Sequence, residues 1–308
     1  KQIRIFSRNE LKQIEMESKF NDDRLRFLVG DVRELPRVIR ATEDVDFVFH
    51  AAALKHVPKV EYNPFEAIKT NVQGSQNVID ACLQNNVQKA ICIGTDKAVS
   101  PLNTYGATKL LMEKLFVTAQ RYSNPKKHHT KFVAVRYGNV FGSSGSVIPK
   151  FIQQLKNKQK LTMTDSKMTR FNITMNEALD FILKATLHAK GSEIFIPKLK
   201  SYILSDVKDA LIELLSDTGS ESIGIRPGEK LHESLINEDE ISQAFEYENM
   251  YVIIDPQYHH EGLEQIYPKI KKLDNVKKYS SDLAEKLSIS EIKKLITDSG
   301  FLENHNKT

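Results

Sequence analysis

Apolar residues in this chain cluster in short runs separated by longer stretches where they recur every three or four positions. The runs fall at Gln2 to Phe6, Phe27 to Val29, Val45 to Phe49, Val87 to Ile93 and Phe132 to Arg136. Short apolar runs closed by turn residues read as buried strands. Ser7-Arg8-Asn9-Glu10 closes the first, Gly30-Asp31-Val32 the second and His50-Ala51-Ala52-Ala53 the third. The periodic stretches predict helices at Glu10 to Phe20, Leu35 to Ala41, Asn63 to Asn85 and Tyr105 to Arg121, and Asn9 is placed to cap the first of them. Strands alternating with helices at this rhythm predict βαβ units and a doubly wound parallel sheet covered on both faces.

After Arg136 the rhythm changes. A glycine-rich loop runs from Tyr137 to Gly145, followed by a predicted helix at Val147 to Lys156 and an extended stretch at Met168 to Thr174. A helix at Asn176 to Ala189, a strand at Ile194 to Ile196, a helix at Ser205 to Leu215 and a strand and turn at Ile223 to Lys230 complete the prediction. The tail, with Asn237 to Glu240 and many lysines after Lys269, reads as solvated surface.

At 308 residues and 40% hydrophobic content, the chain can bury a sizeable core, as two domains or as one with an appendage. The net charge of +4 gives no case for nucleic acid. Cys82 in a helical pattern and Cys92 in an apolar strand read as buried thiols of a cytoplasmic protein. No apolar run approaches the roughly 18 residues of a membrane span, and no signal-peptide pattern is present, so the expectation is a soluble protein. His128-His129 and His259-His260 lack acidic or sulfur partners at ligand spacing, so no metal is expected.

Candidate chemistry concentrates between Ile91 and Lys109. An apolar strand breaks into Gly94-Thr95-Asp96-Lys97, and a polar loop through Ser100-Pro101 leads to the helix that begins with Tyr105-Gly106-Ala107-Thr108-Lys109. Tyr105 and Lys109 are four apart and share a helix face. An ammonium beside a phenol lowers the phenol's pKa and lets its oxygen take a proton near neutrality. Strand carboxyl ends are where open α/β sheets bind ligands, so five proton-handling groups are aimed at one place. Asp96-Lys97 alone would read as a solvated turn; its place at a strand end beside the Tyr105/Lys109 helix argues for chemistry instead.

Seven motifs in order carry a resemblance: SRNELK (Ser7 to Lys12), HAAALKHVP (His50 to Pro58), TDKAVSP (Thr95 to Pro101), YGATK, RYGNVFGSSGSV (Arg136 to Val147), MTRF (Met168 to Phe171) and RPGEKLHE (Arg226 to Glu233). A lone Tyr-x-x-x-Lys is weak; the ordered set is specific. From about Ile3 to Glu233 the chain resembles the extended short-chain dehydrogenases/reductases that act on nucleotide sugars, and in particular their configuration-inverting 4,6-dehydratases. The resemblance implies a Rossmann-like fold with a smaller C-terminal substrate-binding domain. Residues 1–142 would bind NADP, with 172–197 returning to that domain, and residues 143–308 would mainly bind substrate. It also implies a UDP-sugar substrate and a homo-oligomer, from dimer to hexamer. The family begins with a strand and a Gly-x-x-Gly-x-x-Gly turn whose amides hold the cofactor pyrophosphate. The sequence opens at what would be the family's second strand, and the expectation is that the parent protein carries the first.

The site residues follow from the resemblance. Ser7 and Arg8 would meet the adenosine ribose, with Asn9, Glu10, Leu11 and Lys12 also among the cofactor-binding residues, and Arg8 could pair with a 2′-phosphate, which selects NADP. Asp31 and Val32 read equally as an adenine-contacting turn and as ordinary turn chemistry. Ala51, Ile93, Gly94 and Val140 would line the cofactor, and Lys55 would meet cofactor and substrate. Thr95 would hydrogen-bond the sugar 4-oxygen, Tyr105 would take its proton, and Lys109 would lower the Tyr105 pKa and hold the nicotinamide ribose. Lys97, kept neutral, would take the C5 proton, and Asp96, kept protonated, would protonate the departing 6-hydroxyl. Asn139, Glu229 and the candidate diphosphate clamps Arg170 and Arg226 would hold the substrate. Ser143 to Ser146 could cradle a diphosphate, a weaker signal. Retention at C5, release of the 5,6-alkene and a non-catalytic NADP-binding regulator are the alternatives.

Overall fold

The computed structural model describes residues 1–143, 145–255, 262–274 and 276–302. In chain order, the first half contains β1 (Ile3–Ser7), α1 (Glu10–Phe20), β2 (Leu25–Val29), α2 (Leu35–Ala41), β3 (Phe47–His50), α3 (Val57–Tyr62), α4 (Pro64–Ala67), α5 (Gly74–Gln84), β4 (Lys89–Ile93), α6 (Thr104–Tyr122) and β5 (Lys131–Val135). Then come β6 (Asn139–Val140), α7 (Val147–Lys156), β7 (Leu161–Met163), β8 (Thr169–Ile173), α8 (Met175–His188), β9 (Glu193–Pro197), β10 (Ser201–Ile203), α9 (Leu204–Leu214), β11 (Ser220–Ser222) and β12 (Ser234–Ile236). The last part adds β13 (Ala244–Tyr247), β14 (Met250–Ile254), α10 (Leu263–Ile266), β15 (Lys271–Lys272), β16 (Tyr279–Ser280) and α11 (Ile289–Asp298).

The main sheet has seven strands in the order β15-β13-β14-β9-β5-β4-β3. β3, β4, β5 and β9 run parallel. Ala90, Ile91 and Cys92 of β4 and Val133, Ala134 and Val135 of β5 are fully buried, which is why these strands read as continuous apolar runs. β1 and β2 form a separate parallel pair. β3 is the last strand of the main sheet, and its Phe47 and Phe49 remain exposed. The observed order and covering helices are Rossmann-like, as the strand–helix rhythm predicts.

Two elements differ from expectation. The predicted helix Asn63 to Asn85 is interrupted by a π-helical turn at Ile68–Gln73. There Asn71 turns inward, donating to Leu54 O and Thr108 Oγ1 and accepting from Leu54 N at 2.7 Å. Periodicity of side chains does not show a turn widened by one residue. The tail is not merely solvated surface: β14 adds antiparallel to β9, and Tyr267, Val252 and Ile292 are fully buried. The Met250–Ile254 run supplies the apolar side chains for this extension.

A second core, built on Phe151, Leu161, Leu211 and Ile292, joins α7, α9 and α11 into the C-terminal lobe. Arg136, fully buried at the end of β5, ties the layers together. Its guanidinium reaches both oxygens of Glu113 on α6 at 2.6 and 3.0 Å, both oxygens of Glu240 at 2.9 Å, and Leu235 O at 2.8 Å.

His50, at the end of β3, stacks on Phe116 and donates from Nε2 to Ser75 Oγ, whose own proton goes to Asn71 O. Burial, with Lys109 adding to it, pushes its pKa down to about 3. A base depressed in the folded state favours folding fully above the unfolded value near 6.5 and loses that contribution as pH falls through the folded one. Stability is therefore expected to fall by about 1.4 kcal/mol per pH unit from this group as pH drops from about 6.5 towards 3. Urea unfolding across this range checks it: His50→Gln should flatten the slope, and parallel curves would refute the assignment.

Candidate active site

The site is assembled where β4 ends against α6. Gly94 N donates to Val135 O at 2.7 Å, and a Cβ on Gly94 would lie 2.5 Å from that oxygen, so only glycine allows this closeness. Thr95 Oγ1 then accepts from Lys97 N and caps the short 3₁₀ turn Asp96–Ala98. Asn103 caps α6 by accepting from Gly106 N at 2.8 Å. A Cβ on Gly106 would lie 2.4 Å from Lys97 O, so the glycine brings the first turn of α6 onto the Asp96–Ala98 turn. Tyr105 thereby comes to the same place as Asp96 and Lys97.

The C-terminal segment closes the other side. Gly228, at φ +78°, makes the turn after Arg226-Pro227, a conformation that glycine adopts without strain. Its carbonyl accepts from Asn103 Nδ2 at 2.7 Å, and Lys230 Nζ donates to Val99 O at 2.5 Å. Glu233 follows, 3% exposed.

Lys97 Nζ donates to Asp96 Oδ1 at 3.0 Å and to Asn139 Oδ1 at 3.1 Å, and lies 3.8 Å from Glu233 Oε1. Asp96 is fully buried, whereas 27% of the Lys97 side chain is open. Burial alone would push the Lys97 pKa down, but the Asp96 and Glu233 carboxylates outweigh it and hold the amine above the ordinary lysine range. Thus Lys97 is an ammonium here, not the neutral amine expected from sequence, because it sits between two carboxylates. Asp96 Oδ1 accepts from both Lys97 and Thr95 Oγ1, the latter at 2.9 Å.

Tyr105 also differs. Burial raises its pKa; Lys97 and a hydrogen bond with Thr95 pull it back only in part, with Asp96 adding to the rise. Lys109 is not its activator: Lys109 Nζ donates to Ile93 O at 2.6 Å and contacts Met112 Sδ at 3.0 Å. Burial lowers the Lys109 pKa, opposed by Cys92 and Glu113. Four-residue spacing puts two side chains on one face without making them touch.

At the end of β1, Ser7 Oγ accepts from Gln13 Nε2 at 2.9 Å, and Asn9 Oδ1 caps α1 by accepting from Lys12 N at 3.0 Å. Glu10, Leu11 and Lys12 are exposed. Arg8, with 52% of its side chain open, faces Asp31 at 3.7 Å, and Arg33 pairs with the same carboxylate at 2.7 Å. Burial would raise the Asp31 pKa, but Arg33 and then Arg8 hold it below the usual carboxylate range. Val32 is a core residue, packed against Gly74. Ala51 and Lys55 are exposed beyond β3, and Val140 pairs with Ile173 of β8.

The two expected clamps are separated. Arg170, on β8, spends its donors on Thr169 O, Leu231 O and Lys230 O, with Glu229 at 3.6 Å, and so fastens the 229–233 turn beside Lys97. Arg226 is exposed, with Lys150 of α7 near it: burial first, then Arg226, lowers the Lys150 pKa, with Glu229 opposing.

Sequence reasoning did not single out Glu233, Lys230 or Lys150 as site residues. Glu233 had a signal, as an acid separated only by Ser234 from the apolar Leu235-Ile236. Buried oxygens without hydrogen-bond partners sit around the site: Asp96 Oδ2, Glu229 Oε2 and Glu233 Oε2. Buried acceptors lacking donors suit a ligand that brings hydroxyl groups. Among the described residues, no group of three His, Cys, Asp or Glu could hold a metal, and His259-His260 lie outside them. No helix among the described residues is long and apolar enough to cross a membrane.

A parallel sheet of this order, with Thr-Asp-Lys at a strand end and Tyr-x-x-x-Lys on the next helix, defines a Rossmann-like protein of the short-chain dehydrogenase/reductase type. The chain belongs to the polysaccharide biosynthesis protein family, whose model matches residues 1–255. It is 50% identical to the UDP-N-acetylglucosamine 4,6-dehydratase (inverting) of Campylobacter jejuni over 252 residues, covering 82% of this chain and 74% of that protein. It is 39% identical to a Rickettsia typhi protein named UDP-glucose 4-epimerase, over all of this chain and 90% of that one. The X-ray structure of Pen from Bacillus thuringiensis superposes with a TM-score of 0.89 at 41% identity, covering 98% of this chain and 90% of the other.

Proposed function

We propose that the protein is a UDP-N-acetylglucosamine 4,6-dehydratase that inverts C5 and releases UDP-2-acetamido-2,6-dideoxy-β-L-arabino-hex-4-ulose. The observation that carries this reading is the contact of Asp96 and Lys97 beside buried Tyr105. A phenol suffices to exchange a proton at a sugar 4-oxygen; removing water from C5 and C6 needs an acid and a base more. Similarity to the Campylobacter protein supports the same reading, and pseudaminic acid synthesis as its setting. The buried, unpaired cysteines suit the reducing cytoplasm. The family resemblance supports a homo-oligomer of two to six chains.

The donor set fits a nicotinamide dinucleotide phosphate: an open guanidinium at Arg8, a small side chain at Ala51, and the cations Lys55 and Lys109. Such a cofactor supplies a hydride acceptor that later returns the hydride. Tyr105 first gives up its own proton to solvent, with Lys97 favouring the phenolate, and then takes the proton of the sugar 4-hydroxyl while Thr95 hydrogen-bonds the oxygen. The resulting 4-ketone acidifies C5–H. One proton passes from Lys97 to Asp96 along their 3.0 Å hydrogen bond, giving a neutral amine and a carboxylic acid. Lys97 then removes the C5 proton, and Asp96 protonates the 6-oxygen, which leaves as water. A solvent-derived proton, delivered to the face of C5 opposite the one that lost it, balances the hydride that would return to C6 and completes the inversion. Arg226 and Lys150 meet the diphosphate, and Asn139 and Glu229 meet hydroxyls.

Arg8 selects NADP by facing the 2′-phosphate. Arg8→Ala is expected to raise KM for NADP about 10-fold while leaving KM for NAD nearly unchanged. Equal changes for both would remove Arg8 from phosphate recognition.

Full-length similarity to the Rickettsia protein favours 4-epimerisation as a second reading. Incubation with UDP-N-acetylglucosamine decides by mass. A 4-keto product lighter by one water supports the dehydratase; an isomer of unchanged mass supports the epimerase. No reaction at all would favour a non-catalytic regulator.

A further inference from the structure

We propose that Glu233 is a positioning residue that holds Lys97 as an ammonium until a substrate hydroxyl engages its free oxygen, an inference that rests on the dehydratase reading above. The backbone of Glu233 is held by Ser281, whose N–H also donates to Glu233 O at 2.7 Å. The Glu233 backbone N–H donates to Ser281 Oγ at 2.9 Å, and that hydroxyl lies 2.7 Å from Thr169 Oγ1, which lies 2.8 Å from His232 Nδ1. Its side chain makes no hydrogen bond of ordinary length to a cation. Oε1 is 3.8 Å from Lys97 Nζ and 4.0 Å from Arg170 Nε, and Oε2 is 3.9 Å from Lys230 Nζ. At such separations the carboxylate acts through charge rather than through a hydrogen bond.

Its cationic neighbours are committed elsewhere. Arg170 donates to three backbone carbonyls and Lys230 to Val99 O. Glu233 Oε2 is therefore buried with no donor, a costly arrangement unless something supplies one. A turn brace needs no such orphan, because Arg170 and Lys230 already brace the turn.

The groups facing Lys97 are Asp96, Glu233, Arg170 and Tyr105, and those facing Glu233 are Lys97, Arg170 and Lys230. Lys97 Nζ donates to Asp96 and Asn139 and faces the Glu233 charge at 3.8 Å, and as an ammonium it offers no lone pair to C5–H. Passing one proton to Asp96 breaks an N–H bond and forms an O–H bond, with none gained or lost. The Glu233 charge opposes that transfer by favouring the ammonium. A sugar hydroxyl donating to Oε2 spreads the charge and releases the transfer, so Lys97 becomes a base only with substrate present.

The test is competitive labelling of Lys97 with acetic anhydride across pH, read by peptide mass spectrometry, alongside the pH dependence of kcat/KM for water loss with NADP and UDP-N-acetylglucosamine. Glu233→Gln is expected to shift the Lys97 labelling midpoint to lower pH by about one unit. The limb of kcat/KM that falls as pH rises, where the Lys97–Asp96 pair loses its one shared proton, should move with it, while C4 oxidation keeps its own profile. Glu233→Asp should shift both less, in the same direction, and it serves alone if the glutamine variant does not fold. An unmoved labelling midpoint, with activity reduced equally at every pH, would leave Glu233 a structural residue only and overturn the proposal. Wild-type protein that never releases water would instead reject the dehydratase reading, while the labelling shift would still report whether Glu233 governs the charge on Lys97.

Discussion

Lys97→Met is expected to lower the rate of water loss roughly 100- to 10,000-fold, the usual contribution of a positioned proton-transfer group, while C4 oxidation continues. Methionine keeps the unbranched stem, one atom shorter, but can neither remove the C5 proton nor pass one to Asp96. It also removes the cation that pulls the Tyr105 pKa down. The pH at which C4 oxidation sets in should therefore rise, because Tyr105 is already held above its usual value by burial. Single-turnover experiments separate the effects: reduced cofactor accumulates in the variant, and dehydrated product does not. Water loss at the wild-type rate would show that another group takes the C5 proton.

Arg136→Met should be the most destabilising single change, at about 3–5 kcal/mol, because it leaves a buried carboxylate without its cation. Glu113 is fully buried and depends on Arg136 for both oxygens; Glu240 loses two hydrogen bonds as well. The damage spreads beyond one contact, since Arg136 joins β5, α6 and the segment after β12. Urea unfolding gives the number, and replacing Glu113 and Arg136 together by Gln and Met should recover part of the loss. A variant within about 1 kcal/mol of wild type would mean that water or rearrangement compensates the charge.

Much of the fold was legible because its parallel strands are buried on both faces. Runs such as Ala90-Ile91-Cys92 can hardly be anything but core, and strand–helix alternation then leaves few topologies. The site's location was legible for the same reason, at the end of one such strand. Its protonation was not. Local spacing suggested that Lys109 tunes Tyr105, but the lysine is drawn to Ile93 O, an acceptor 16 residues back along the chain. The charge on Lys97 is favoured by the adjacent Asp96 and then by Glu233, which is 136 residues away in sequence and arrives through a turn fixed by Gly228 and Arg170. Non-local charge leaves no periodic trace. The burial of the tail was missed because Met250–Ile254 pairs antiparallel with β9, outside the alternating rhythm that marked the rest.

The proposed chemistry turns on oxidation at C4 making the hydrogen at C5 exchangeable and the oxygen at C6 expendable. Reaction with UDP-N-acetylglucosamine in heavy water, followed by NMR of the product sugar, tests this directly. One deuteron at an inverted C5, a methyl group at C6 and a ketone at C4 is the predicted outcome. Hydrogen retained at C5 with the 6-hydroxyl still in place would contradict it.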